Sequence, residues 1–583
     1  MKSLVVKTAM KILIMPFALG LCTLGSTFAV AASNNIPQVQ HVIMIIQENR
    51  TPDNLFNRDT LLIQHGGHVR PTGNAGRCGA TNAKVPLMPT GLFTCWGPEH
   101  NNRKPYPDWV NMWDNGKMDG ACGVFVDAEA GCTATQCYQG NMKYCPYTFV
   151  QNSLWDGHHG ILDPYFQVVN QYGWANFMFQ TNQGGSFPAH QFLFSGTSAP
   201  TYYQDPNSTC TPDCWEWFDA ENIVSPKGDT HKNARQVGCI GDEFNGKTAF
   251  AWELDPNSDE SVVYTPLTPV NTLGFPCYNH QTMAELLEAS GLTWKYYTTA
   301  PNNLWTAPNS FYNICQPSGY GGKCDGPDFK NNVVLPRNGD ESPFLTDIAN
   351  CNLPSVSWVI PDGNWSDHAG HGKGKNAHPA DGGPSWIAAI TNAIGLDKTC
   401  EGGKGYWSDT VIMVTWDDWG GYYDDVSPAL AAGGPGIGYP NGTGGQYVYG
   451  FRVPLIVVSA YSKQTAQPPA RYTGYVSPLN HDFGSMLQFI EYAFGQNGSI
   501  LGGACGIGPC AYPYADYFFP EYRQGAAYGL SDFFDFTQKP LHFRTINGSK
   551  YQPNCFHTPT AQNCFGSNYP ADPDDDANET SPD

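Results

Sequence analysis

The residues of this chain that could do chemistry stand at the ends of its most apolar stretches. In VIMIIQENRTPDNLF, residues 42–56, a run of large apolar side chains stops at Glu48, Asn49 and Arg50. In VIMVTWDDWGGYYDDV, residues 411–426, a second run stops at the adjacent pair Asp417 and Asp418, and a Gly-Gly turn follows. Neighbouring carboxylates repel each other unless a cation lies between them. Glu48, Asn49, Asp417 and Asp418 together form an all-oxygen set suited to one hard divalent metal ion, whose identity the sequence leaves open. The plainer reading, in which Asp417 and Asp418 merely cap the following turn, is weakened by the second strand that ends in the same way. A third stretch, NQGGSFPAHQFLFSGTS at 182–198, sets Ser186 after two glycines and predicts a constrained turn whose backbone approaches a ligand closely. A serine becomes a nucleophile only where a base or a metal lowers its effective pKa.

Elements must bring these stretches together. Strands apolar on both faces belong to parallel sheets covered by helices, and such sheets bind ligands in the crevice outside the carboxyl ends of their strands. The apolar runs 42–47, 356–361, 411–416 and 453–461 predict strands. The amphipathic segments 282–291, 384–395 and 484–495 predict helices, each ending in a glycine placed to cap it. This alternation predicts an α/β fold with one central, mostly parallel sheet flanked by helices. The cysteine- and glycine-rich stretches near 57–150, 203–276 and 500–565 read as surface loop insertions stapled by disulfides.

The rest of the composition bounds where the protein works. Lys2, Lys7 and Lys11 precede an apolar stretch and an Ala-x-Ala pattern at Ala29 and Ala31, which predicts a signal peptide over 1–31. The expected catalytic domain is 32–567, followed by an acidic disordered tail over 568–583. Of 19 cysteines, Cys22 leaves with the signal and an even number remains, without zinc-type knuckles, as disulfides in an oxidising compartment require. The protein is expected to be secreted or periplasmic, with no stable membrane span. Its formal charge of −21 argues against nucleic acid as a partner.

The stretches HVIMIIQENRTPDNLF, GKMDGACGVF (116–125), GGSFPAHQFLFSGTS, WSDHAG and VTWDDWGGYYDDV closely resemble the phosphoesterase family of bacterial phospholipases C and secreted acid phosphatases. The resemblance implies a single alkaline-phosphatase-like domain. It implies that Glu48, Asn49, Asp417 and Asp418 are the metal ligands, that Ser186 is the nucleophile, and that His368 in the Ser-Asp-His motif is the catalytic histidine. His371 and His378 follow closely, and His378 in AHPADGG stands as the alternative to His368. Arg50, His190, His378 and His481 are further candidates for substrate contact, although Arg50 could equally brace Asp53 from behind. Three departures are visible, the first being the long stretch after His368 that carries His371 and His378. Thr51-Pro52-Asp53 stands where the family usually has Ser-Phe-Asp, and the segment before GKMDG offers only His100, at a shifted position.

The implied reaction is metal-dependent hydrolysis of a phosphoester, either a phospholipid headgroup or a small phosphomonoester, through a phosphoserine intermediate. Two other classes fit a secreted, aromatic-rich chain: a glycoside hydrolase and a glycan-binding surface protein. A glycosidase needs carboxylates on opposite sides of a sugar ring, which an adjacent pair supplies poorly. Oligomeric state is not legible in the sequence.

Overall fold

A computed structural model of the chain describes residues 36–80, 83–98, 105–128, 132–196, 238–240, 282–318, 322–337, 339–369, 380–428, 449–465, 473–495 and 529–565. The expected signal peptide and acidic tail, most of the 203–276 stretch, and His100, His371 and His378 lie outside the described residues.

Valine and isoleucine, whose branched side chains fit a pleated surface, dominate His41–Gln47, and every residue of this strand is buried. It is β1 of an eight-stranded sheet. The others are β2 (Gly173–Phe179), β3 (Trp294–Tyr297), β4 (Val333–Val334), β5 (Val356–Val359), β6 (Thr410–Trp416), β7 (Leu455–Ser459) and β8 (Tyr475–Asp482). Their spatial order is β4-β3-β5-β1-β6-β7-β2-β8. All neighbours run parallel except β7, which is antiparallel to both β6 and β2. The protein is thus a mixed α/β fold with a mostly parallel central sheet flanked by helices and with disulfides in its loops.

The four expected strands are β1, β5, β6 and β7. The other four do not announce themselves as apolar runs. β2 contains Gly173 and Asn176, β4 is two residues long, and β8 is a partly exposed edge strand with Pro478 and a bulge between Ser477 and Asn480. Proline and bulges are confined to such edges because they break the ladder.

The principal helices are α1 (Asp163–Gln171), α2 (Ser186–Ser195), α3 (Met283–Ala289), α4 (Gly383–Leu396) and α5 (Phe483–Phe494). The last three match the amphipathic segments, but their glycines act differently from one another. Gly291, at φ +73°, terminates α3 as expected. Gly495 ends α5 in extended backbone instead. Gly395 caps nothing: α4 runs through it to Leu396, and a Cβ there would lie 2.3 Å from the ring of Phe543. Gly395 is therefore a packing glycine.

The stretch 57–150 is more than loop. Trp109, Met112, Tyr144, Tyr147 and Phe149 form a second buried core with Trp419, Tyr423 and Phe451, which follow or face the Asp417-Asp418 turn. Disulfides Cys78–Cys122, Cys95–Cys132 and Cys137–Cys145 hold this layer together. Elsewhere Cys315–Cys324, Cys351–Cys400 and Cys555–Cys564 clamp other connections.

The turn after β6 is locked to the rest by a buried cation. Arg452 donates to Asp424 through Nε and a terminal nitrogen, at 2.7 and 2.9 Å, and to Asp425 at 3.2 Å. Its remaining terminal nitrogen donates to the carbonyls of His68 and Asn176. Asp53 lies 3.7 Å away and accepts from the backbone of Arg70 and Asp425. Asp53, Asp424 and Asp425 could have held a metal, but the Arg452 guanidinium already sits among them, hydrogen-bonded to Asp424 and Asp425 and 3.7 Å from Asp53. Removing one partner of a fully buried, hydrogen-bonded charge group typically costs about 3–5 kcal/mol. Arg452→Ala should lose stability of that order in chemical denaturation, and a variant within 1 kcal/mol of wild type, on the order of an ordinary surface change, would contradict this role.

Candidate active site

The register of two strands builds the site. β1 and β6 pair in parallel from His41↔Thr410 to Gln47↔Trp416 without a slip, so the next residues of each strand, Glu48 and Asp417, emerge side by side. The backbone then knots the two ends. The Asp417 amide donates to the Gln47 carbonyl at 2.9 Å, the Asn49 amide to Asp417 Oδ1 at 3.0 Å, and the Arg50 amide to the Asp418 carbonyl at 3.0 Å. Asn49 makes the bend at φ +56°, a left-handed conformation that asparagine tolerates better than most residues. Gly420, at φ +61°, packs so closely that a Cβ would fall 2.5 Å from the Asn49 carbonyl oxygen. Asn49 and Gly420 shape the site before any ligand arrives.

Ser186 reaches this point from another direction. It is not on an open turn: it is the first residue of α2, with Gly185 as the N-cap. Its hydroxyl lies 3.1 Å from Glu48 Oε2 and 3.1 Å from Asp418 Oδ2. Gln180 fixes the loop that delivers it. The Gln180 amide nitrogen donates to the carbonyls of Asn182 and Gly184, while its oxygen accepts from the Trp419 amide at 3.0 Å. One buried side chain thus ties the serine loop to the aspartate turn.

The carboxylates are held where they do not want to be ionised together. Burial first, and then Asp417, raise Glu48 well above its ordinary pKa. Burial and the charge of Asp418 raise Asp417 to about 7. Among the described residues no lysine or arginine nitrogen comes within 4.0 Å of Glu48 or Asp417, and Asp417 Oδ2 is buried without a hydrogen-bond partner. His190, four residues along α2 from Ser186, places Nε2 2.9 Å from Glu48 Oε1 and 3.8 Å from Asp417 Oδ2. Burial depresses its pKa to about 3, so it does not neutralise them. Glu48, His190 and Asp417 each offer one ligand atom within 4.8 Å of the others. An oxygen-dominated, uncompensated, buried set of this kind fits a divalent cation.

Asn49 lies between Asp418 and His368: with its side-chain amide oriented to suit both neighbours, its nitrogen donates to the two Asp418 carboxylate oxygens at 3.2 Å and its oxygen accepts from His368 Nε2 at 2.9 Å.

The remaining sequence candidates scatter. Arg50 is wholly buried and points away from the cluster: Nε donates to the Asp367 carbonyl, its terminal nitrogens to Asn54 Oδ1 and the Leu92 carbonyl, and its plane lies 4.6 Å over the Tyr422 ring. It touches neither Asp53 nor the serine; Arg452 braces Asp53. His481 sits on β8 against Ser477 and Asp532. Thr51 caps the short helix Pro52–Phe56 and donates to the Tyr423 carbonyl, so the unusual Thr-Pro pair keeps the turn anchored. Sequence reading passed over Gln47, Gln180, Tyr165 and Asp367. The two glutamines did carry a signal, since each ends or directly follows an apolar strand where a buried side-chain amide must find partners.

The described residues include no helix long and apolar enough to cross a membrane. A parallel sheet with an oxygen-lined cluster and a helix-borne serine at its carboxyl edge defines a class of hydrolytic sites, and comparison narrows it. The chain belongs to the phosphoesterase family, whose model matches residues 39–497. Phospholipase C B of Mycobacterium tuberculosis (strain CDC 1551 / Oshkosh) is 32% identical over 206 residues, covering 32% of this chain and 35% of that protein. Non-hemolytic phospholipase C of Burkholderia pseudomallei is 26% identical over 256 residues, 38% of this chain and 33% of its own length. The Pseudomonas aeruginosa protein of the same name is 26% identical over 239 residues, 37% and 30% respectively. The chain therefore spans about a third of the length of these curated relatives.

The raised carboxyl groups have a consequence for stability. In metal-free protein they stay protonated in the fold at a pH where they ionise in the unfolded chain, so stability falls as pH rises. With Asp417 at about 7 in the fold and an unfolded value near 3.9, the fall spans roughly pH 4 to 7. Melting curves in chelator should show this slope, and an added divalent cation should flatten it. If chelated Asp417→Asn melted with the same pH slope as wild type, another group would be responsible.

Proposed function

We propose that the chain is a secreted, metal-dependent phosphoric ester hydrolase of the phospholipase C type, its catalytic domain spanning 32–567 after a signal peptide at 1–31. The observation that carries this reading is the convergence of Glu48 and Asp418, from two strand ends, on the Ser186 hydroxyl at 3.1 Å each. Glu48, Asn49, Asp417 and Asp418 would hold one divalent cation, and His190 would orient Glu48 from below. When bound, such a cation lowers the pKa of a nearby hydroxyl and neutralises phosphoryl oxygens.

The chain's own residues supply the rest. Ser186 Oγ attacks phosphorus, its proton passing to a neighbouring carboxylate. The positive end of the ten-residue α2 favours the anionic phosphoryl group beside it. As the ester P–O bond breaks, His368 protonates the leaving oxygen. His368 then takes a proton from water as that water attacks the phosphoserine; the P–Oγ bond breaks, the carboxylate returns its proton to Ser186 Oγ, and the phosphoryl product leaves. The names of the relatives make a phospholipid headgroup diester the first substrate to test, with a small phosphomonoester second. The net charge of −21 favours zwitterionic over anionic lipid. A glycosidase reading gains nothing from two adjacent aspartates engaged with one serine and one amide.

Two substitutions test this reading. Ser186→Ala should lower kcat about 10³-fold or more, equivalent to ~4 kcal/mol of transition-state stabilisation. Acid-quenched wild type should carry phosphate on the peptide containing Ser186. Asp417→Asn should remain folded while losing bound metal and activity together. Near-normal turnover by Ser186→Ala, or full activity of Asp417→Asn after dialysis against chelator, would refute the mechanism.

A further inference from the structure

We infer that Arg50 and Asp367 are positioning residues that set His368 against the leaving-group oxygen; this rests on the proposal that His368 is the acid. The peptide and carboxylate of Asp367, one residue before His368, are held from four sides. Its amide donates to Gln47 Oε1 at 3.0 Å, and its carbonyl accepts from Arg50 Nε at 2.8 Å. Its Oδ2 accepts from the Tyr165 hydroxyl at 2.8 Å and from Trp416 Nε1 at 3.0 Å. Asp367 is 1% exposed, and Gly383 lies so close that a Cβ there would fall 2.1 Å from Oδ1.

The identity of these partners carries the inference. Gln47 immediately precedes Glu48, Arg50 immediately follows Asn49, and Trp416 immediately precedes Asp417. Three of the four grips therefore come from residues next to proposed metal ligands, and the fourth, Tyr165, comes from α1. The loop bearing His368 takes its register from the same two strand ends that hold the cluster. Every nitrogen of the Arg50 guanidinium is engaged by protein groups, so its work is to hold the Asp367 peptide rather than to meet phosphate. A serine delivered by one loop and an acid delivered by another must agree within a fraction of an ångström, because small misplacements are costly in rate.

Leaving-group dependence separates positioning from general structural support. Departure of p-nitrophenolate needs little protonation, whereas an alkoxide needs a well-placed acid. Rates would be measured on p-nitrophenyl phosphate against an alkyl phosphate, and on p-nitrophenylphosphorylcholine against the corresponding alkyl diester. The variants are His368→Ala, Tyr165→Phe, Arg50→Lys and Trp416→Phe. His368→Ala should lose about 10²-fold or more on the alkyl ester beyond its loss on the nitrophenyl ester. Tyr165→Phe and Arg50→Lys should each lose about tenfold more kcat on the alkyl ester than on the nitrophenyl ester, with KM and metal content little changed. Equal losses on both esters by Tyr165→Phe and Arg50→Lys, while His368→Ala stays selective, would overturn the positioning role. Equal losses by His368→Ala itself would overturn His368 as the acid, and the positioning role with it. Tyr165→Phe deletes one oxygen with packing kept; should it fail to fold, Trp416→Phe gives the same readout through the other donor to Oδ2.

Discussion

The constraint on which everything else depends is the mutual repulsion of Glu48, Asp417 and Asp418, buried together beside a serine. A carboxylate in a low-dielectric interior is stable only when paired or coordinated. Here the fold forces the charges together through seven in-register residue pairs between β1 and β6, and the packing of those strands is strong enough to absorb the repulsion. Each strand is apolar on both faces and fully buried, so a register slip would strand a whole set of contacts. The hydrophobic ladder positions the acids, and the acids make the site receptive to a cation.

A contrast within the same molecule sharpens the point. Six residues beyond Asp418, Asp424 sits in another buried acidic group, with Asp53 and Asp425. That group has Arg452 built in, hydrogen-bonded on every side. One acidic cluster is satisfied by protein and holds the fold; the other is left to be satisfied from outside. The difference is visible only in three dimensions, because both read as Asp-Asp after an aromatic or apolar residue.

How much of this was legible follows from what each residue's role depends upon. Glu48, Asn49, Asp417 and Asp418 stood out because polar side chains interrupt continuous apolar runs, a local feature. The central strands were legible for the same reason. The helix that begins at Ser186 was not, because α2 is buried on every side and its polar residues Ser186, His190, Gln191 and Ser195 leave no amphipathic stripe, so the glycines before it suggested a turn. Arg50 offered two readings, a substrate contact or a brace for Asp53, yet its partners Asp367 and Leu92 are distant in sequence. Long-range grips of this kind leave no periodicity to read.

The offset between β1 and β6 also bears on when the protein can act. A chain grown only as far as β5 already carries Glu48 and Ser186 but not Asp417 or Asp418, and its first strand lacks one of its two neighbours. Parallel pairing across so long a connection closes late in folding. No early segment of the nascent polypeptide can therefore assemble the cluster. By this topology the buried acids and their serine meet only once β6 has joined β1, so the order in which the chain is made becomes the order in which the cluster is completed.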